Sequence, residues 1–192
     1  MNLQIPLTRD VVLIGGGHTH ALVLRKWGMN PLSGARITVI NPGPTAPYSG
    51  MLPGFVAGHY TRDELDIDLV RLARFAGARV IVGKATGIDR EAKLIHVTGS
   101  EPIAYDIASV DVGIHSAMPE ISGFTDHGVA VKPLEILSHR WPQYLDQLDS
   151  TANLAVIGGG VAGVEITLAM MHALSSRNVA ANMSLIDAGE IL

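Results

Sequence analysis

Two glycine-rich segments carry residue types and spacings able to do chemistry. The first, Gly15-Gly16-Gly17-His18-Thr19-His20, follows the apolar run Val11–Ile14; the second, Gly158-Gly159-Gly160-Val161-Ala162-Gly163, follows Leu154–Ile157. A strand that ends in closely spaced glycines and feeds a helix can bring its backbone against a pyrophosphate. The first glycine permits the tight turn, the second leaves no Cβ in the way, and the third lets helix and strand pack. The helix N-terminus adds N–H donors and positive potential. An acidic residue closing the next strand then reaches ribose hydroxyls. The second copy has every part: Gly158, Gly160, Gly163 and Asp187. Asp187 favours NAD(H), because a carboxylate repels the 2′-phosphate of NADP(H) and no Arg or Lys follows it in Ala188–Leu192. The first copy departs twice, with His20 in place of the third glycine and Asn41 in place of the acid. The imidazole is expected to hold helix and strand slightly apart, and Asn41 to bond a ribose without charge. The pair suggests a chain that holds two dinucleotides and passes electrons between them.

Other constellations carry less. His18 and His20 make half of a metal site, but no third ligand is evident, and polar neighbours of a pyrophosphate are the better reading. Asp63, Glu64, Asp66 and Asp68 fit the acidic start of a helix. Met170, Met171 and Met183 fit core filling. His115, His127 and His139 show no recognisable chemistry, and no Ser/His/Asp arrangement stands out.

The elements that must position these turns are those of an α/β protein. The first βαβ unit is expected as strand Val11–Ile14, helix Ala21–Trp27 and strand Arg36–Ile40, about the thirty residues that the fingerprint requires. A Gly- and Pro-rich loop follows from Asn41 to about Tyr60, long enough to be functional. The capping-box pair Thr61 and Glu64 predicts a helix to Phe75, closed at Gly77. Strands are expected at 80–82, 94–97, 103–105 and 107–112, with a linker over 119–128. A helix over 134–148 carries Pro142, which is expected to kink or divide it. The second βαβ unit runs from Asn153 to Asp187, with helix to about Leu174 and strand Met183–Ile186.

Composition bounds the function. With 192 residues, 47% of them apolar and 17% charged, the chain reads as a globular α/β protein. A net charge of −4 provides no basic field for nucleic acid. The absence of cysteine excludes disulfides, thiolate metal sites and a dithiol redox centre within this chain. Met1–Asp10 lacks the pattern of a signal peptide. The most apolar stretch, Leu154–Leu174, carries Glu165, His172 and four glycines, so a buried strand–turn–helix explains it better than a membrane span. A cytoplasmic protein is expected, with peripheral contact to the inner membrane left open.

The two fingerprints, with short β segments between them, resemble the two-dinucleotide-binding flavoproteins of the pyridine nucleotide–disulfide oxidoreductase superfamily. Pro47-Tyr48-Ser49-Gly50-Met51-Leu52-Pro53-Gly54 resembles the flavin-side loop of type II NADH dehydrogenases. Together with Gly-Gly-Gly-His-Thr-His it is similar to the NADH dehydrogenase-like flavoprotein domain that some bacteria fuse ahead of selenide, water dikinase. The resemblance implies a Rossmann-like FAD-binding domain with an inserted β-meander over residues 1–118 and a connecting segment over 119–150. Residues 151–192 would then open a second Rossmann-like domain that binds NAD(H). About forty residues cannot bury a core unaided, so the chain is expected to be a fragment of a longer protein.

The resemblance also implies roles. Gly15, Gly16, Gly17, His18, Thr19 and His20 would surround the FAD pyrophosphate, with Asn41 and Pro42 along its ribose. Met51 and Leu52 would lie near the isoalloxazine, and the Ala85 backbone would meet the adenine. Asp111 and Gly113 would pass the cofactor where such proteins usually show Ala-Thr-Gly. Glu165 would stand beside nicotinamide and flavin as the catalytic-site carboxylate. The implied activity is hydride transfer from NADH to FAD and on to a quinone or other small acceptor. A non-catalytic sensor fused to a selenophosphate-synthesising domain, or a fragment inactive by itself, is the alternative.

Overall fold

The computed structural model describes residues 9–116, 120, 122–148 and 150–189. They form two compact units, the first taking in the chain to Pro47 and Asp66–Gly113, the second Tyr48–Leu65 and the chain from Ile114 onward. In chain order the elements begin with β1 (Arg9–Ile14), α1 (His18–Met29), β2 (Ala35–Asn41), β3 (Thr45–Pro47) and α2 (Leu52–Val56). Next come β4 (Asp66–Asp68), α3 (Leu69–Ala76), β5 (Arg79–Val82), β6 (Ala85–Asp89), β7 (Leu94–Val97), β8 (Ile103–Ala104) and β9 (Ile107–Val110). The last are α4 (Phe124–His127), α5 (Leu134–Asp146), β10 (Thr151–Ile157), α6 (Val161–Ser176) and β11 (Ala180–Ile186).

The first unit is built on a parallel sheet in the order β5-β2-β1-β9. Of its central strands, β1 carries the unbroken apolar run Val11–Ile14 and β2 the buried stretch Ile37–Asn41, as expected where both faces are covered. Val12 and Ile14 of β1 join Ile40 against Ile95, Val97 and Tyr105 of the antiparallel β6-β7-β8 meander. The alternate residue Leu13 joins Ile37 and Val39 against Leu24 of α1 and Ala73 and Ala76 of α3. One strand thus serves two cores with a period of two. This is the Rossmann-like half that the sequence predicts.

Residues 61–76 differ from expectation. The Thr61 backbone N–H and hydroxyl both donate to the Glu64 carboxylate at 2.8 Å, so the hydroxyl does not cap a helix. These bonds hold the Glu64 carboxyl below the usual carboxylate range. A single 3-10 turn, Asp63–Leu65, follows. Asp66–Asp68 is drawn into an antiparallel ribbon with β3. The helix starts only at Leu69, where Asp68 accepts the Arg71 N–H at 2.8 Å, and it ends at left-handed Gly77. The expected loop over 41–60 likewise contains β3, a 3-10 turn at Ser49–Met51 and the short α2.

The second unit pairs β10 with β11 in parallel, joined by α6. Its core brings Leu52, Phe55, Val56 and Leu65 together with Leu134, Leu137 and Trp141 of α5 and Ile166, Met170 and Leu174 of α6. The Trp141 indole N–H donates to the Val56 carbonyl at 2.9 Å in a buried position. Segment Tyr48–Leu65, read from sequence with the first domain, therefore packs in the second unit. Of the expected kink or division at Pro142, the division does not occur, since α5 runs unbroken through it. Pro119, which opens the expected linker, lies outside the described residues. No described helix is long and apolar enough to cross a membrane.

Candidate functional site

The two glycine turns are built alike. Gly15 has φ +92° and Gly158 φ +112°, conformations that glycine adopts without strain. The Gly15 N–H donates to the Ile40 carbonyl at 2.8 Å, and the Gly158 N–H donates to the Ile186 carbonyl at 2.8 Å. The next glycine repeats the match. The Gly16 N–H donates to Asn41 Oδ1 at 2.9 Å, and the Gly159 N–H donates to Asp187 Oδ1 at 2.9 Å. Asn41 and Asp187, which differ by a charge, do the same structural work: each ties the end of the second strand to the turn.

Their remaining capacity differs. Asn41 is 8% exposed, and its Nδ2 donates to the Gly43 and Thr45 carbonyls at 2.9 and 3.0 Å. Its amide is thus committed to three backbone groups. Asp187 is exposed; the N–H groups of Gly159 and then Gly189 hold its carboxyl below the usual range. A carboxylate has about four lone-pair sites, so Asp187 keeps acceptors free for hydroxyl donors.

His20 is buried against the first turn. It is 1% exposed, its Nδ1 lies 2.7 Å from the Gly15 carbonyl and its Nε2 2.9 Å from Ser109 Oγ. The carbonyl can only accept, so Nδ1 carries the hydrogen, and Nε2 of the neutral ring accepts from the Ser109 hydroxyl. The imidazole therefore ties α1 to the turn and to β9. Ser109 was not singled out from sequence; the signal was its place two residues before Asp111 on a strand that borders the turn. Both His20 nitrogens are engaged, and among the described residues no three His, Asp or Glu side chains gather as a metal site.

The helix starts differ most. Gly17 and Gly160 are the N-cap residues of α1 and α6, and neither has a side chain with which to cap. A Cβ on Gly160 or Gly158 would meet open space. At Gly163 it would run into the Gly158 carbonyl oxygen, which is the close helix–turn approach that a third glycine allows. A Cβ on Gly17 would instead lie 2.6 Å from Asp111 Oδ1, and Asp111 Oδ2 accepts the His20 N–H at 3.2 Å. The second cradle is open to a pyrophosphate; the first has a carboxylate of its own beside it.

The other expected site residues are placed as follows. His18 and Thr19 are exposed in the first turn of α1, Pro42 is exposed after β2, and Gly113 is exposed beyond β9. Ala85 opens β6, half-buried against the meander core. In the second unit Leu52 is buried in the core, Met51 is half-buried against it, and Glu165 is exposed on α6.

A sequence model of the pyridine nucleotide-disulphide oxidoreductase family matches residues 9–192. The chain is 26% identical over 176 residues to the NADH dehydrogenase-like protein YutJ of Bacillus subtilis, covering 89% of this chain and 47% of that protein. The fold superimposes on the sulfide:quinone oxidoreductase of Aquifex aeolicus with a TM-score of 0.75 at 20% identity, covering 96% of this chain and 44% of that one. It superimposes on an NAD-dependent persulfide reductase from A. fulgidus with a TM-score of 0.76 at 24% identity, covering 95% and 35% respectively. The chain spans less than half the length of each of these relatives.

Proposed function

The chain belongs to the pyridine nucleotide-disulphide oxidoreductase family, and from that premise we propose that it is the dinucleotide-binding portion of an FAD-dependent NADH oxidoreductase of the type II NADH dehydrogenase-like branch. The carrying observation is the duplicated turn: Gly15 with Gly16 and Asn41, and Gly158 with Gly159 and Asp187, hold the same hydrogen bonds. One such turn serves one dinucleotide; two in one chain fit a donor and an acceptor. Family members bind FAD and NAD(H). In this reading residues 1–118 belong to the FAD domain, although Tyr48–Leu65 packs in the second unit, 119–150 connect, and 151–192 open the NAD(H) domain.

At the second turn, the N–H groups at the start of α6 meet the NADH pyrophosphate, and the open space over Gly158 and Gly160 admits it. Asp187 accepts from the adenosine ribose hydroxyls and disfavours a 2′-phosphate. Glu165 borders the nicotinamide. At the first turn, Gly15, Gly16, Gly17, His18 and Thr19 offer backbone to the FAD pyrophosphate. His20 holds that turn in shape, and Asn41 fixes it from below with Pro42 along the ribose. Met51, Leu52, Ala85 and Gly113 are the further proposed contacts. Held by these residues, FAD would supply the hydride-accepting chemistry, and the role of the protein would be to orient it toward the nicotinamide. The acceptor is a quinone or another small molecule.

The test is spectroscopic. Full-length protein should carry a flavin absorbance band that NADH bleaches and a quinone restores. Purified protein without flavin, even after incubation with FAD, would remove the proposal. The carboxylate beside the first turn favours one second reading, a nucleotide-binding sensor fused to a selenophosphate-synthesising domain. Such a module would bind nucleotide but show no steady NADH consumption with quinones.

A further inference from the structure

We propose that Asp111 is a built-in anionic cap of α1 that has to move aside for a pyrophosphate, so the first turn holds its dinucleotide less tightly than its glycines imply. The proposal rests on the reading of this turn as the FAD site. Three observations converge. Gly17 is the N-cap of α1 and has no side chain to accept the helix's free N–H groups. Asp111 Oδ2 accepts the His20 N–H at 3.2 Å. His20 is the third residue of the helix, the position that an N-cap Ser or Asp normally serves. Asp111 thus supplies from β9 the cap that α1 lacks.

The carboxylate is also held in place. The Asp111 N–H donates to the Ile14 carbonyl at 2.8 Å, continuing the β1–β9 pairing by one residue. A Cβ on Gly15 would run into the Asp111 carbonyl oxygen, so glycine at 15 is what lets this strand end pass so close. A Cβ on Gly17 would run into the carboxylate. The glycine that ordinarily leaves room for phosphate here leaves room for Asp111.

Helix N-terminal potential amounts to roughly half a unit charge, and one carboxylate satisfies it. A pyrophosphate arriving at the same helix end meets a like charge a few ångströms away, a repulsion of kilocalories at an intermediate dielectric. Binding therefore requires Asp111 to rotate off α1. At the second turn no described residue lies within 4 Å of a Cβ built on Gly160.

The experiment compares the wild-type chain with D111N and D111A, reading FAD affinity by quenching of flavin fluorescence and stability by thermal unfolding without nucleotide. D111N removes the charge and keeps the size; D111A removes both. Both variants are expected to bind FAD about tenfold more tightly or better, and to melt lower than wild type without nucleotide, because α1 loses its cap. Equal or weaker FAD binding by both variants, with wild type binding measurably, overturns the role of Asp111 and leaves the FAD reading standing. Absence of binding by all three overturns the FAD reading, and the proposal with it.

Discussion

Replacing His20 by glycine would restore the fingerprint and, by the structure, should damage the protein. The imidazole is 1% exposed and hydrogen-bonded at both nitrogens, to the Gly15 carbonyl at 2.7 Å and to Ser109 Oγ at 2.9 Å. Ser109 is exposed and can turn to water, so its loss costs little. Gly15 is buried, and an orphaned buried carbonyl costs about 1–3 kcal/mol. Glycine in a helical turn costs about 1 kcal/mol against alanine. The space left by the ring adds a cavity term of roughly 1 kcal/mol or more. The sum is about 3–5 kcal/mol, a large share of the 5–15 kcal/mol typical of a domain. Urea unfolding followed by circular dichroism measures it, with H20A separating the backbone term from the rest. H20G should be the less stable of the two, and both should fall well below wild type. A loss under about 1 kcal/mol for H20G, or a gain, would show that the imidazole is the obstruction that the glycine pattern implies and not the tie described above.

Three further outcomes are expected. G163A should lower thermal stability by about 1–3 kcal/mol and weaken NADH binding by the full-length protein, because its Cβ meets the Gly158 carbonyl oxygen; unchanged melting and affinity would contradict the close approach. The Asp187 carboxyl is held below its ordinary value of 3.8, so its contribution is present above that pH and lost as the pH falls through the lower folded value. Protection of the Gly159 and Gly189 amides, followed by NMR, should stay flat down to about pH 4 and then drop, and D187N should remove the step. W141F should cost about 1–3 kcal/mol in urea unfolding, since it leaves the Val56 carbonyl without its donor; an unaffected midpoint would show that water replaces the indole.

Sequence alone determined the parts whose physics is local. Continuous apolar runs at 11–14 and 154–157 marked parallel strands, the first buried on both faces and the second half-buried on one face and exposed on the other, and closely spaced glycines marked the turns that follow them. The repeat also announced a Rossmann-like α/β fold, and the match of residues 9–192 to the pyridine nucleotide-disulphide oxidoreductase family bears that fold out. Asp68 replaces the expected Thr61 as the cap because strand pairing between Thr45–Pro47 and Asp66–Asp68 is a contact between distant segments. Trp141 and the segment ending at Leu65 were brought together for the same reason. At the first turn, tertiary structure decided what the deviations mean. His20 is also a tie, because Ser109 arrives from a strand 89 residues later in the chain. Asp111 looked like a variant contact and is a cap, because that strand ends at the mouth of α1. Local spacing fixes which backbone can cradle a phosphate. Which side chains stand in that cradle depends on strands that only folding brings alongside.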